Sequence, residues 1–189
     1  MVILFITVLL FCLIHLIPAL PSVKARLSDQ LGAIYGPVFG LVATLSLVAI
    51  IIAWSFSDFE PVYEPVKFSR HINVGLTLIA FLFLGIFFFR GKLRLFFRFP
   101  FAIAVIFWAS GHLVANGDQA SIIMFGGLLV YAVVFIVLGL INSVQPTLIV
   151  RDGHDVLSLI IGFSAYIVMV QLHEIIIGMP VMRIDQVFG

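Results

Sequence analysis

The stretch Ser121-Ile-Ile-Met-Phe-Gly-Gly-Leu-Leu-Val-Tyr-Ala-Val-Val-Phe-Ile-Val-Leu-Gly-Leu-Ile141 runs for twenty-one residues without a charged side chain. A helix of roughly 20 apolar residues, rising 1.5 Å at each, crosses a hydrocarbon layer of about 30 Å. The segment therefore reads as a membrane span. Five more runs of the same kind flank it, approximately Val2 to Leu20, Tyr35 to Phe56, Ile72 to Phe89, Phe99 to Ala115 and Val156 to Met179. The spacers between the runs are polar or rich in Gly and Pro, and none is long enough for a soluble domain. Composition agrees. Of 189 residues, 63% are hydrophobic and 10% charged, and the mean hydropathy is +1.27. A water-soluble fold carries about 25% charged residues. The expected architecture is all-α: a polytopic membrane protein, a bundle of about six transmembrane helices, forming a single domain over residues 1–189 whose first partner is the lipid bilayer.

Charge and cysteine content narrow the function classes. Ten Lys and Arg against nine Asp and Glu leave a net charge of +1, too little basic excess for a nucleic-acid binder. One cysteine, Cys12, excludes an internal disulfide and a Cys-x-x-Cys metal site. The first run has no basic residue before it and no small-residue cleavage site after it, so it reads as a retained anchor.

Short loops rich in Lys and Arg stay on the cytoplasmic side. The first, third and fifth spacers hold Lys24, Arg26, Arg90, Lys92, Arg94, Arg98 and Arg151, whereas the others and the tail hold Lys67, Arg70 and Arg183. This bias predicts both termini on the far side, periplasmic if the membrane is a bacterial inner membrane. Much of it lies in Arg90-Gly-Lys-Leu-Arg-Leu-Phe-Phe-Arg98, whose alternation of basic and aromatic residues suits anionic headgroups and ordinarily serves as a topology anchor. Gly32, Gly36 and Gly40, four residues apart, predict close helix packing within the monomer, with a dimer contact as the other use of such spacing. Asn116-Gly117 predicts a helix stop with Gly117 in the left-handed capping position.

Polar side chains inside the runs are few, and each is a functional candidate because it is costly in hydrocarbon. Glu174 is the one carboxylate at membrane level, which disfavours ion-coupled transport. What remains is histidine: His15, His112 and His173 within runs, His71 and His154 at their edges. Neutral imidazole is a common axial ligand of haem iron. No His-Glu-x-x-His motif is present, and Ser110 has no Gly-x-Ser-x-Gly context. His112 and His173 fall at similar depth on parallel runs and so form one candidate pair. Trp108 and Asn116 flank His112 at four residues on either side, and Cys12, one turn before His15, is a further candidate ligand.

Three segments carry a resemblance. They are His15-Leu-Ile-Pro-Ala-Leu-Pro-Ser-Val-Lys-Ala-Arg26; Arg98-Phe-Pro100 with Phe107-Trp-Ala-Ser-Gly-His112-Leu-Val-Ala-Asn116-Gly-Asp118 and Phe125-Gly-Gly127; and His173-Glu-Ile-Ile-Ile-Gly178-Met-Pro180. In order and content they resemble the NnrU family of integral membrane proteins, which includes the ζ-carotene isomerases. The resemblance implies a link to denitrification or nitric oxide metabolism, with a denitrification enzyme as partner. From the isomerase branch it implies haem b held by two histidines, which carry over onto His15 and His112, with His173 as the alternative ligand. The family's Arg-His-Pro places a histidine thirteen residues before the second ligand; Phe99 occupies that position here. Two functions of different class follow: a haem protein, redox-active or isomerase-like, and a non-catalytic membrane accessory or assembly factor.

The spacer pattern predicts that Lys92 and Asp118 lie on opposite sides of the membrane. Cysteine-accessibility mapping at these two positions, in a background lacking Cys12, should label each from one side only and never both from the same side.

Overall fold

The computed structural model describes residues 1–146, 149–178 and 181. Met179, Pro180 and Arg183, which the sequence reading used, lie outside them. Eight α-helices make up the described chain: α1 (Val2–Leu16), α2 (Pro21–Leu31), α3 (Tyr35–Ser55), α4 (Ser69–Phe88), α5 (Lys92–Phe96), α6 (Pro100–Ala115), α7 (Gln119–Ile141) and α8 (His154–Ile177). No strand occurs among the described residues; Pro61 and Asp118 form an isolated antiparallel bridge. Five segments are long and apolar enough to cross a membrane, α1 with its following 3-10 turn, α3, α4, α7 and α8, while α6 is a shorter apolar helix of sixteen residues. All six expected runs are thus helical. The chain is an all-α integral membrane protein.

Helix limits follow local chemistry. The Asp118 side chain accepts a hydrogen bond from the Ser121 amide (2.9 Å) and starts α7, meeting one of the amide donors that a helix N-terminus leaves open. At the other end, the Asn142 side-chain amide donates to Leu138 O and to Ala19 O. Gly153 (φ 76°) and Gly178 (φ 81°) bound α8 in the left-handed conformation that glycine tolerates best. The first spacer is not a loop. Val23, Leu27 and Leu31 recur at helical spacing among Lys24, Arg26 and Asp29, so Pro21–Leu31 coils into α2, an amphipathic helix with a boundary character.

The described residues group into two compact units, Met1–Glu64 with Asn116–Gln145, and Pro65–Ala115 with Pro146–Gly189. In the first, α1 packs against α3 and α7. Leu4, Val8, Phe11, Leu128 and Tyr131 form its interior. The pairing is parallel for α1 and α7: Val8 lies over Gly127, Phe11 meets Tyr131, and Ala19 meets Asn142. The loop before α4 closes on the start of α7, where Val62 N and Tyr63 N both donate to Gly117 O (2.7 and 3.0 Å) and Gln119 N donates to Glu60 O (2.8 Å).

In the second unit, α4 packs closely against α6 and α8, antiparallel to both. Phe83 stacks on Phe107 and Phe87 meets Phe101, while Gly85 faces Ser158 and Gly162 faces Phe81. Glycine is needed at both contacts: a Cβ on Gly85 would strike the Ser158 carbonyl, and one on Gly162 would sit 2.6 Å from Phe81 O. Backbones this close are the means by which helices associate in lipid, where apolar side chains gain little from leaving the hydrocarbon. The outer faces carry Val156, Ile160, Phe163, Ile167 and Val168 of α8, all exposed, as lipid contact requires.

Two expectations are corrected. Gly32, Gly36 and Gly40 make no close packing among the described residues, since a Cβ on any of them would meet nothing within 4 Å, and Gly32 is instead fixed by its positive φ. Gly117 is not left-handed; it is demanded by the Tyr63 backbone, whose carbonyl would collide with any Cβ there. Asp118 is buried as a helix cap.

Gly85→Ala and Gly162→Ala should each lower stability in detergent by about 1–3 kcal/mol, the ordinary cost of overpacking. Gly36→Ala should leave stability unchanged or raise it by up to about 1 kcal/mol, through helix propensity alone. Thermal unfolding followed by circular dichroism checks both.

Candidate functional site

His15 lies one residue before the C-terminus of α1, in the first unit. Its Nδ1–H donates to Phe11 O at 2.8 Å, the carbonyl one turn earlier. A carbonyl oxygen only accepts, so the proton resides on Nδ1 and the lone pair of the neutral ring on Nε2. That nitrogen meets no hydrogen-bond partner among the described residues. The ring stacks on Phe11 (3.7 Å between centroids, 21°), with Tyr131 edge-on at 6.2 Å and Phe39 at 6.3 Å. Cys12, one turn earlier, directs its thiol to Gly127 O at 3.7 Å.

His112 lies near the end of α6, in the second unit, and repeats the arrangement: Nδ1–H donates to Trp108 O at 2.9 Å. Its Nε2 is likewise the lone-pair nitrogen. The Trp108 indole lies 5.1 Å from the ring. Half-buried His173, on α8 of the same unit, is close enough for the two imidazoles to interact electrostatically. This is the pair that depth arithmetic joins. Glu174, beside it and three residues before the end of α8, is exposed. His15 and His112, the pair implied by the resemblance, belong to different units.

The other expected residues have other tasks. Asn116 is not on the face of His112, because α6 ends at Ala115; its carbonyl accepts from the Tyr63 hydroxyl at 2.9 Å. His154 Nδ1 accepts from the Arg90 amide (3.2 Å), so its proton is on Nε2, the tautomer opposite to that of His15 and His112. Phe99 is buried, with the Arg98 guanidinium 5.2 Å from its ring centre. Among the described residues no three or more His, Cys, Asp and Glu gather as a metal-holding cluster. A macrocycle-borne iron asks the protein for axial ligands only, one or two in number.

Asn73 was not singled out from the sequence. It accepts from Thr77 Oγ1 (3.0 Å) through Oδ1, and the same oxygen would lie 2.6 Å from a Cβ on Gly111, next to His112. The signal was an amide and a hydroxyl four residues apart near the polar start of α4, a spacing that places both on one face. Tyr166, on α8, donates to Val74 O at 3.3 Å beside it. In the second unit, then, α4, α6 and α8 each contribute polar groups toward the same end.

Gly111→Ala should destabilise the second unit by about 1–3 kcal/mol through the Asn73 amide. Asn73→Ala removes that obstacle, so the double variant should be less damaged than the sum of the single ones, by at least about 0.5 kcal/mol of coupling. A thermal-unfolding cycle measures it; strictly additive effects would contradict the contact.

A family model described as NnrU protein matches residues 3–181. No curated protein and no solved structure matches the chain. The match runs from the first turn of α1 to beyond α8, taking in both units and every segment quoted above, and on that extent the chain belongs to the NnrU family.

Proposed function

We propose that this NnrU-family membrane protein binds haem b, with His112 as one axial ligand and His15 as the other, His173 being the alternative within the second unit. The observation that carries the reading is the shared tautomer. In His15 and His112 alike, Nδ1–H is held by the carbonyl four residues earlier, at 2.8 and 2.9 Å, which orients each ring and puts the lone pair of the neutral ring on Nε2. Axial histidines of haem iron are held in this way, the second nitrogen's hydrogen bond setting ring direction and raising ligand basicity. The donor chemistry fits the group. When bound, haem would supply a one-electron couple; the chain's own residues orient the imidazoles and, through Phe11, Phe39, Tyr131 and Trp108, surround them with apolar rings that exclude water.

The family resemblance supports a setting in denitrification or nitric oxide metabolism, in a bacterial inner membrane with both termini periplasmic as the Lys and Arg bias suggests. Phe99 speaks against the isomerase variant of this reading, since a buried phenyl can neither ligate iron nor move a proton where that branch has histidine.

A second reading has its own observation. Thr44 donates to Gly40 O in the same way as the histidines do to their carbonyls, so the bond also serves a polar side chain with no ligand to hold. On that reading the chain is a membrane accessory to a denitrification enzyme.

Optical spectra of the detergent-purified protein, produced with ample haem, separate the two. The haem reading expects a sharp low-spin ferrous b-type band. His112→Ala should abolish it or convert it to a five-coordinate form. His15→Ala acting likewise identifies the second ligand as His15; if His173→Ala does so and His15→Ala does not, the second ligand is His173. A colourless protein in every preparation overturns the haem reading and leaves the accessory.

A further inference from the structure

The corner where α4 ends, α5 lies and α8 begins carries more positive charge than any function so far described uses. Its backbone is firmly held. Arg151 N donates to Arg90 O (2.8 Å), Arg90 N to His154 Nδ1 (3.2 Å), and the amides of Lys92 and Leu93 to the two carboxylate oxygens of Asp155 (3.1 and 2.8 Å). Gly91 is buried here because Asp155 occupies the space that a Cβ would need. The Asp155 carboxylate is thus committed to backbone amides, and the other acid of the corner, Asp152, is exposed beside Arg151 and forms no ion pair among the described residues.

The cations themselves are left over. Arg90, Lys92 and Arg151 are exposed, and none of the three, nor Arg94, makes an ion pair among the described residues. Arg94 lies 5.1 Å above the Phe87 ring, and partial burial and then the proximity of Arg90 lower its proton affinity, as like charges in one place do. Beside them stand two exposed rings, Phe88 (71%) and Phe96 (79%). The corner caps the ends of three membrane-spanning or apolar helices, so it lies at the level where hydrocarbon gives way to headgroups. Cations at that level with aromatic neighbours match a lipid whose headgroup is an anion and whose chains lie just below.

We propose that Arg90, Lys92, Arg94 and Arg151 form a binding site for the headgroup of an acidic phospholipid, whose acyl chains lie against Phe88 and Phe96. A rigid corner suits this better than a flexible basic loop. The charges are gathered in advance by main-chain bonds, so less side-chain and loop freedom is lost when the phosphate arrives. The inference is independent of haem.

The test is the full chain reconstituted in phosphatidylcholine vesicles with spin-labelled phosphatidylglycerol or spin-labelled phosphatidylcholine as probe, reading the relative association of the two with the protein. Wild type should prefer phosphatidylglycerol by about fivefold or more, each engaged cation contributing about that factor, and should lose the preference near 1 M salt, where screening acts over about 3 Å. Arg90→Gln/Lys92→Gln/Arg94→Gln should bring the ratio close to one, whereas Lys67→Gln, elsewhere in the chain, should not. If the triple variant fails to fold, Lys92→Gln/Arg151→Gln, which removes two exposed side chains without hydrogen bonds of their own, should lower the ratio severalfold. A wild-type ratio of one, or a preference that survives in whichever of these variants is folded, overturns the proposal.

Discussion

In hydrocarbon a polar side chain has no water to turn to, and the nearest acceptor is the carbonyl one turn back along its own helix. This bond recurs throughout the chain. Thr7, Ser46 and Ser55 donate to the carbonyl three residues earlier, Thr44 and Ser57 to the one four earlier. His15 and His112 obey the same rule. The helices can therefore carry hydroxyls and imidazoles without demanding partners from one another, and the remaining interfaces are made by backbone approach, aromatic contact and fit of shape.

The exceptions are informative for that reason. Asn73 accepts from a side chain, Tyr166 donates to the backbone of another helix, and Cys12 does the same toward α7. Asn73 and Tyr166 both involve the first turns of α4, where Gly111 lets α6 come close. Farther along α4 the contacts turn to backbone approach at Gly85 and Gly162, where buried Ser158 keeps its hydroxyl on Asp155 O of its own helix. A single helix thus has a polar start and a tightly packed end, and the polar start is the end at which His112 and His173 are found.

The sequence was transparent wherever burial is uniform. Long apolar runs have one reading in a bilayer, which is why the six long apolar helices and the all-α class followed from them, and why the end of α6 was found to the residue; the family came instead from the resemblance of three particular segments. It was opaque where two segments meet. Asn116-Gly117 read as a local capping signal, but glycine is there because the chain at Tyr63, more than fifty residues earlier, lies against it, and no local pattern encodes that. Gly32, Gly36 and Gly40 failed from the opposite side: small residues at regular spacing permit close packing without producing it. The first spacer hid α2, because only three of its eleven residues, Val23, Leu27 and Leu31, are large and apolar. For the histidines, the pattern supplied their presence and depth, but the proton's place on each ring depends on which atom faces the preceding carbonyl, and that is a matter of rotamer.

That proton separates histidine from the hydroxyls that make the same bond. A serine or threonine that donates to its own helix has met its main obligation, for a hydroxyl oxygen left without a donor costs little beside an orphaned N–H. An imidazole that donates through Nδ1 still holds a basic lone pair on Nε2, pointing away from the helix, and the amides of that helix are already spent on its own carbonyls. The partner must come from outside: a proton donor on another element, or a metal. Of the rings around His15, Phe11 and Phe39 have no donor to give, and the Tyr131 hydroxyl makes no hydrogen bond to the imidazole among the described residues. The same satisfied bond that makes histidine tolerable in lipid therefore puts its lone pair on Nε2, and this is the physical ground for proposing a ligand's task for His15 in a helix that needs only leucine to cross the membrane.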